Sequence, residues 1–101
     1  MITVLVKFKI SDDLNLKTLK EKFIETSEIY IDVEGLLRKN YIADIKNGFA
    51  GGVYTFLTIE NAKKWFNEDR IKWITKRYSE PEITYYESPV IVDNEKNKII
   101  S

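Results

Sequence analysis

Cysteine and histidine are both missing from this 101-residue sequence, and proline and glycine are scarce, with two and four residues. Without cysteine there is no disulfide framework, zinc knuckle, iron–sulfur cluster or thiol nucleophile. Without histidine there is no imidazole to act as a base near neutral pH, to bind a transition metal or to serve as an axial haem ligand. Charge of one sign is lacking too, since sixteen Lys and Arg balance sixteen Asp and Glu. No overall field draws in phosphate backbones or anionic membranes, so neither nucleic acid nor membrane is expected as a partner. No run approaches the roughly 20 apolar residues of a membrane span, and the first ten residues, interrupted by Lys7 and Lys9, do not form a signal-peptide core. The expectation is a soluble, cytoplasmic protein forming one domain over residues 1–101, with room for a single core.

What is present alternates. Ile2, Val4, Val6, Phe8 and Ile10 share one face and Thr3, Leu5, Lys7 and Lys9 the other, the period of a strand. Ser11, Asp12, Asp13 and Asn15 supply caps for an amphipathic helix with Leu16, Leu19, Phe23, Thr26 and Tyr30 inward. After Gly35, residues Leu36 to Asp44 alternate again, setting Leu37, Lys39, Tyr41 and Ala43 against Leu36, Arg38, Asn40 and Ile42. Asn47-Gly48 signals a hairpin, with Phe49 and Ala50 extending its loop, and Gly51 to Leu57 reads as the returning strand. Thr58 caps a second helix with Ala62, Trp65 and Phe66 inward, split near Asn67 or Asp69 before Ile71, Ile74 and Tyr78. Pro81 ends it, and Glu82 to Val92 reads as a last strand disturbed at Pro89. Residues 93–101 read as a polar tail.

Strand, helix, hairpin, helix, strand is the split βαβ arrangement: an α+β, ferredoxin-like βαββαβ fold with both helices on one face of a four-stranded antiparallel sheet. The other face is left uncovered. Because the Gly51–Leu57 strand is apolar on both sides, a second copy is the economical cover, and a homodimer is expected.

The run Gly35-Leu36-Leu37-Arg38-Lys39-Asn40-Tyr41, the loop at Asn47-Gly48, and Gly51-Gly52-Val53-Tyr54-Thr55-Phe56 followed by an Ala62/Trp65 helix resemble the dimeric α+β-barrel superfamily. They are most similar to its antibiotic-biosynthesis-monooxygenase-like members of the YdhR type. The resemblance spans nearly the whole chain through element-level patterns. It implies a dimer, a substrate seated between sheet and helices, and one of two chemistries: cofactor-independent oxygenation of aromatic compounds or haem degradation. In the haem-degrading relatives a helix tryptophan, a strand asparagine and a helix histidine form the site. Trp65 matches the tryptophan, but Lys7 and Thr75 stand at the other two positions, which argues against haem.

The residues singled out follow from that placement. Trp65 is expected to stack on a flat aromatic substrate, and Arg38 and Asn40, two apart on one strand face, to polarise a carbonyl or steady a developing anion. These three are the catalytic candidates. Tyr30, Tyr41, Tyr54 and Tyr85 are the substrate-binding candidates, their hydroxyls suited to phenolic or quinone oxygens. Core packing for the aromatics and an ordinary salt bridge for Arg38 are the plainer readings. Asp12-Asp13 and Glu68-Asp69 sit where helix caps belong, so no metal is assigned, and no cofactor is expected. The leading reading is a cofactor-independent monooxygenase acting on a small aromatic or polycyclic molecule. With no histidine, deprotonation of such a substrate falls to a tyrosine, a lysine or a carboxylate of shifted pKa. The alternative is a non-catalytic dimer that binds a small ligand. An RNA-recognition reading, which shares the element order, fits poorly because the aromatic strand lacks its basic residue and Gly-aromatic pattern. An acylphosphatase reading lacks a phosphate-cradling loop after the first strand.

Overall fold

The computed structural model describes residues 1–101. Its element order is β1 (Ile2–Lys9), α1 (Leu16–Ser27), a 3₁₀ turn (Glu28–Tyr30), β2 (Leu36–Asp44), β3 (Phe49–Phe56), α2 (Ile59–Trp65), α3 (Glu68–Arg77), β4 (Glu82–Glu87), β5 (Ile91–Asp93) and β6 (Lys98–Ile100). The main sheet runs β2-β3-β1-β4 and every pairing in it is antiparallel. This is the ferredoxin-like α+β fold, reached because each helix carries its strand across to the sheet position beyond a neighbour.

Local chemistry sets the element ends. Asn15 accepts from the Thr18 backbone N–H at 2.9 Å and starts α1, and Thr58 does the same for Asn61 at 3.1 Å and starts α2. Asn67 breaks the second helical segment and caps α3 through Arg70 N–H at 2.8 Å. The β2–β3 turn closes with Gly48 N–H donating to Ile45 O at 3.1 Å, and Gly48 adopts φ 75°, a conformation that a side chain disfavours.

Alternation places Ile2, Val4, Val6 and Phe8 of β1 and Ala50, Tyr54 and Phe56 of β3 in the core, joined from the helices by Leu19, Ala62, Phe66 and Ile74. Burying these side chains is what holds helices to sheet, at roughly 1.5–3 kcal/mol for each large one.

Several expectations are corrected. Phe49 and Ala50 belong to β3 rather than to the loop, and Ala50 is buried; Leu57 lies beyond the strand and is half-exposed. Leu16, the first residue of α1, is exposed rather than inward. Tyr30 sits on the 3₁₀ turn, which bends the chain after α1. A register shift between Leu36 and Arg38 turns Leu36 toward the core opposite Phe56 and leaves Leu37 outside, so strict alternation fails there. The last strand stops at Glu87: Ser88-Pro89-Val90 interrupts it, and residues expected as strand end and polar tail form the β5–β6 hairpin instead. Proline cannot donate to the ladder, and β1 ends opposite Glu87, so pairing has nothing to continue along. No helix is long and apolar enough to cross a membrane.

Candidate functional site

On the helix-facing side of the sheet, β2 contributes Lys39 and Tyr41, β3 contributes Tyr54, and the 3₁₀ turn contributes Tyr30. Lys39 is opposite Tyr54 in the β2–β3 register. Its ammonium lies 3.4 Å from the centroid of the Tyr30 ring, 3.7 Å from that of Tyr41 and 4.8 Å from that of Tyr54. Three ring faces therefore surround one cation, each attracting it through the negative face of the π-system. Gly52 makes this possible. A Cβ there would come within 3.1 Å of Lys39 Cε and 3.0 Å of the Tyr54 ring, so the missing side chain is the space the cage occupies.

Lys39 has no carboxylate within ion-pair distance; the four salt bridges of the chain join Arg38–Glu95, Lys64–Glu34, Lys72–Glu68 and Arg77–Glu25. Burial disfavours its charged form and the nearby Arg70 guanidinium repels it, lowering its pKa to about 6. The tyrosines move the other way. Burial pushes Tyr41 up to about 12, against the 2.9 Å hydrogen bond with the Thr26 hydroxyl, and raises Tyr30 and Tyr54 as well. At neutral pH the cage thus consists of protonated phenols around an amine that is largely uncharged.

Trp65 continues the cluster from α2. Its ring is 5.4 Å from Tyr30, with the Arg70 guanidinium stacked on it at 3.9 Å, and its indole Nε1 is buried without an acceptor. Arg70 has no acidic partner either, so the wall of aromatics is backed by a second uncompensated cation. Tyr85 is on the same face but farther off, 6.5 Å from Phe66 with Lys63 over its ring at 4.3 Å.

The interior cavity between sheet and helices, lined by Tyr30, Lys39, Tyr41, Tyr54, Trp73 and Arg77 among others, holds only about 20 Å³. That is room for about one water. Next to it, an open groove of about 340 Å³ runs between the 3₁₀ turn and β2, lined by Ser27, Ile31, Asp32, Leu36 and Arg38, with Tyr30, Lys39 and Tyr41 forming the wall it shares with the interior. A small molecule in this groove reaches Lys39 without parting the helices from the sheet.

The structure brings Tyr30, Tyr41, Tyr54 and Trp65 together, and leaves Arg38 and Asn40 out of that interior cluster. Both lie on the opposite face of β2, are exposed, and pair in register with Thr55 and Val53. Arg38 reaches the rim of the groove while its guanidinium pairs with Glu95 at 3.7 Å. The positions matched to the haem site are apart as well: Lys7 is on the outer face over Phe49, and Thr75 is exposed with its hydroxyl donating to Ile71 O. Sequence reasoning missed Lys39, and the signal was there, because a lysine between Leu36 and Tyr41 on the inward face of a strand is rare without a partner.

An antiparallel β2-β3-β1-β4 sheet covered on one face by helices, with an aromatic cluster between the layers, defines a ferredoxin-like α+β fold. A solved structure of this kind, a proposed antibiotic biosynthesis monooxygenase from Deinococcus radiodurans, superposes with a TM-score of 0.67 over 92% of this chain and 97% of its own, at 13% sequence identity. The likeness is one of fold. No family model matches the sequence, and no curated protein is similar to it in sequence.

Proposed function

We propose that this protein is a cofactor-independent oxygenase of small, weakly acidic aromatic substrates, with Lys39 as its general base and Tyr30 and Tyr41 orienting the ring, Tyr30 being backed by Trp65. The observation carrying this reading is an amine without a carboxylate partner, held among three phenol rings beside a groove large enough for one aromatic molecule. Neutral Lys39 takes a proton from a phenol or an activated ring CH₂, and the resulting ammonium together with Arg70 stabilises the anion left behind. The electron-rich anion then reduces dioxygen itself. One oxygen atom enters the substrate as a carbonyl and the other leaves as water, so dioxygen is the sole oxidant. The fold shared with the Deinococcus radiodurans protein supports the same reading.

The test is oxygen uptake with a panel of anthrones and hydroquinones. Wild type should consume oxygen with a rate that rises with pH through the titration of Lys39 near 6, Lys39→Met should lose on the order of a hundredfold, and Trp65→Ala should lose rate as well. Uptake by Lys39→Met at the wild-type rate would sink the proposal. A second reading, a non-catalytic ligand-binding protein, is favoured by the nearly filled interior of about 20 Å³; saturable binding of the same compounds with no oxygen consumption would establish it.

The protein is further proposed to work in the cytoplasm as a homodimer joined through the uncovered sheet face. There Leu5, Val53 and Ile42 are only partly buried, Leu37 and Tyr86 are exposed, and the β5–β6 hairpin adds exposed Val90, Val92 and Ile99 alongside. Apolar area of this extent on a sheet of four strands is the mark of a contact surface.

A further inference from the structure

We infer that Lys39 is also a carbonyl-trapping amine, forming an imine with a small aldehyde or ketone seated in the groove between the 3₁₀ turn and β2. The inference rests on the same placement of Lys39 as the proposed base, but asks a different reaction of it. Three observations carry it. Lys39 lines an open groove of about 340 Å³ that a small carbonyl compound fits, together with Tyr30 and Tyr41, two of the rings around its nitrogen. No carboxylate holds it in place or keeps it protonated. Ring faces of Tyr30, Tyr41 and Tyr54 surround its nitrogen at 3.4 to 4.8 Å, so they stabilise a cation at that point whether it is an ammonium or a protonated imine.

The last observation separates this lysine from an ordinary surface one. An amine paired with a carboxylate loses that partner's geometry when its nitrogen becomes planar. A cage of π-faces has no directional bond to lose, so it accepts the planar nitrogen of an imine, neutral or protonated, in place of the amine. The groups facing the nitrogen agree with this: protonated Tyr30 from the turn, Tyr41 from β2 and Tyr54 from β3, with Arg70 from α3 repelling an ammonium and thereby favouring the nucleophilic free amine. Asp32 and Arg38, of opposite charge, stand at the groove rim.

The chemistry balances without an oxidant or reductant. The amine lone pair attacks the carbonyl carbon, the carbonyl oxygen takes up the proton released from nitrogen to give a carbinolamine, and loss of water leaves the C=N bond.

The experiment treats the whole protein at pH 7 with benzaldehyde and sodium cyanoborohydride, whose hydride fixes any imine as a benzylamine, and locates the adduct by intact mass and peptide mapping. Lys39 should be labelled first and on the order of a hundredfold faster than the exposed lysines, whose amines are almost wholly protonated at that pH. Lys39→Met should lose the fast label. Gly52→Ala, which presses Lys39 Cε and the Tyr54 ring aside by a few tenths of an ångström, should slow it while keeping the sheet, as read by circular dichroism. Labelling confined to the Met1 amine and the exposed lysines in folded wild type would overturn the inference. Trapping at Lys39 without any oxygen uptake would leave it standing and overturn the oxygenase reading, and Lys39-dependent oxygen uptake without trapping would do the reverse.

Discussion

Replacing Lys39 by methionine should make the protein more stable at low pH. The side chains are of similar length and volume, so the substitution removes a charge and its desolvation while leaving the cage filled. Lowering the Lys39 pKa from 10.5 to about 6 corresponds to roughly 6 kcal/mol by which the fold disfavours the charged form relative to water. That penalty is the burden of holding the ammonium inside the cage. The unfolded chain, where Lys39 titrates at its ordinary value, binds more protons than the fold between the two values, so this contribution to stability rises with pH. The burden is complete below pH 6 and is lifted as pH climbs toward 10.5. Urea unfolding followed by tryptophan fluorescence at pH 5.5 to 9.5 measures it. Lys39→Met should exceed wild type by up to about 6 kcal/mol at pH 5.5, with the gap closing by roughly three quarters at pH 9.5. The upper limit matters because the raised tyrosines contribute oppositely: their stabilisation is present below pH 10 and is lost above it. A variant less stable than wild type at pH 5.5, or a gap that does not change with pH, would refute the account of Lys39 as an uncompensated buried cation.

Two further outcomes follow from the packing. Gly52→Ala should cost about 1–3 kcal/mol in the same unfolding assay, the range for overpacking a filled site, since its Cβ presses on Lys39 Cε and the Tyr54 ring. Tyr86→Lys, on the exposed outer face of β4, should convert a dimer to a monomer in sedimentation at micromolar concentration with no loss of monomer fold; wild type sedimenting as a monomer would remove the dimer proposal altogether.

The element order was legible because it depends on short-range chemistry. The alternation of β1, the caps at Asn15, Thr58 and Asn67, and the Asn47-Gly48 reversal each act within a few residues, and the split of the second helix followed from one of them. Where the reading failed, the deciding partner was distant. Whether Phe49 and Ala50 were loop or strand depended on Lys9 and Phe8 being available to pair with them. The fate of residues 91–100 depended on one another's backbone once β1 had run out. The shift after Leu36 answered to Phe56, twenty residues on.

The candidate site divides the same way. Sequence alone determined that no histidine or cysteine chemistry is possible here, that Trp65 faces inward, and that any base must be a lysine, tyrosine or carboxylate, because these statements need only composition and period. Only the tertiary structure singled out Lys39 among them. It took the β2–β3 register to set Lys39 against Tyr54, the 3₁₀ turn to lay Tyr30 over both, and the bare Cα of Gly52 to leave room between them. A lysine's pKa is fixed by what excludes water from it and which charges stand near, and both are properties of the assembled layers that no local pattern encodes.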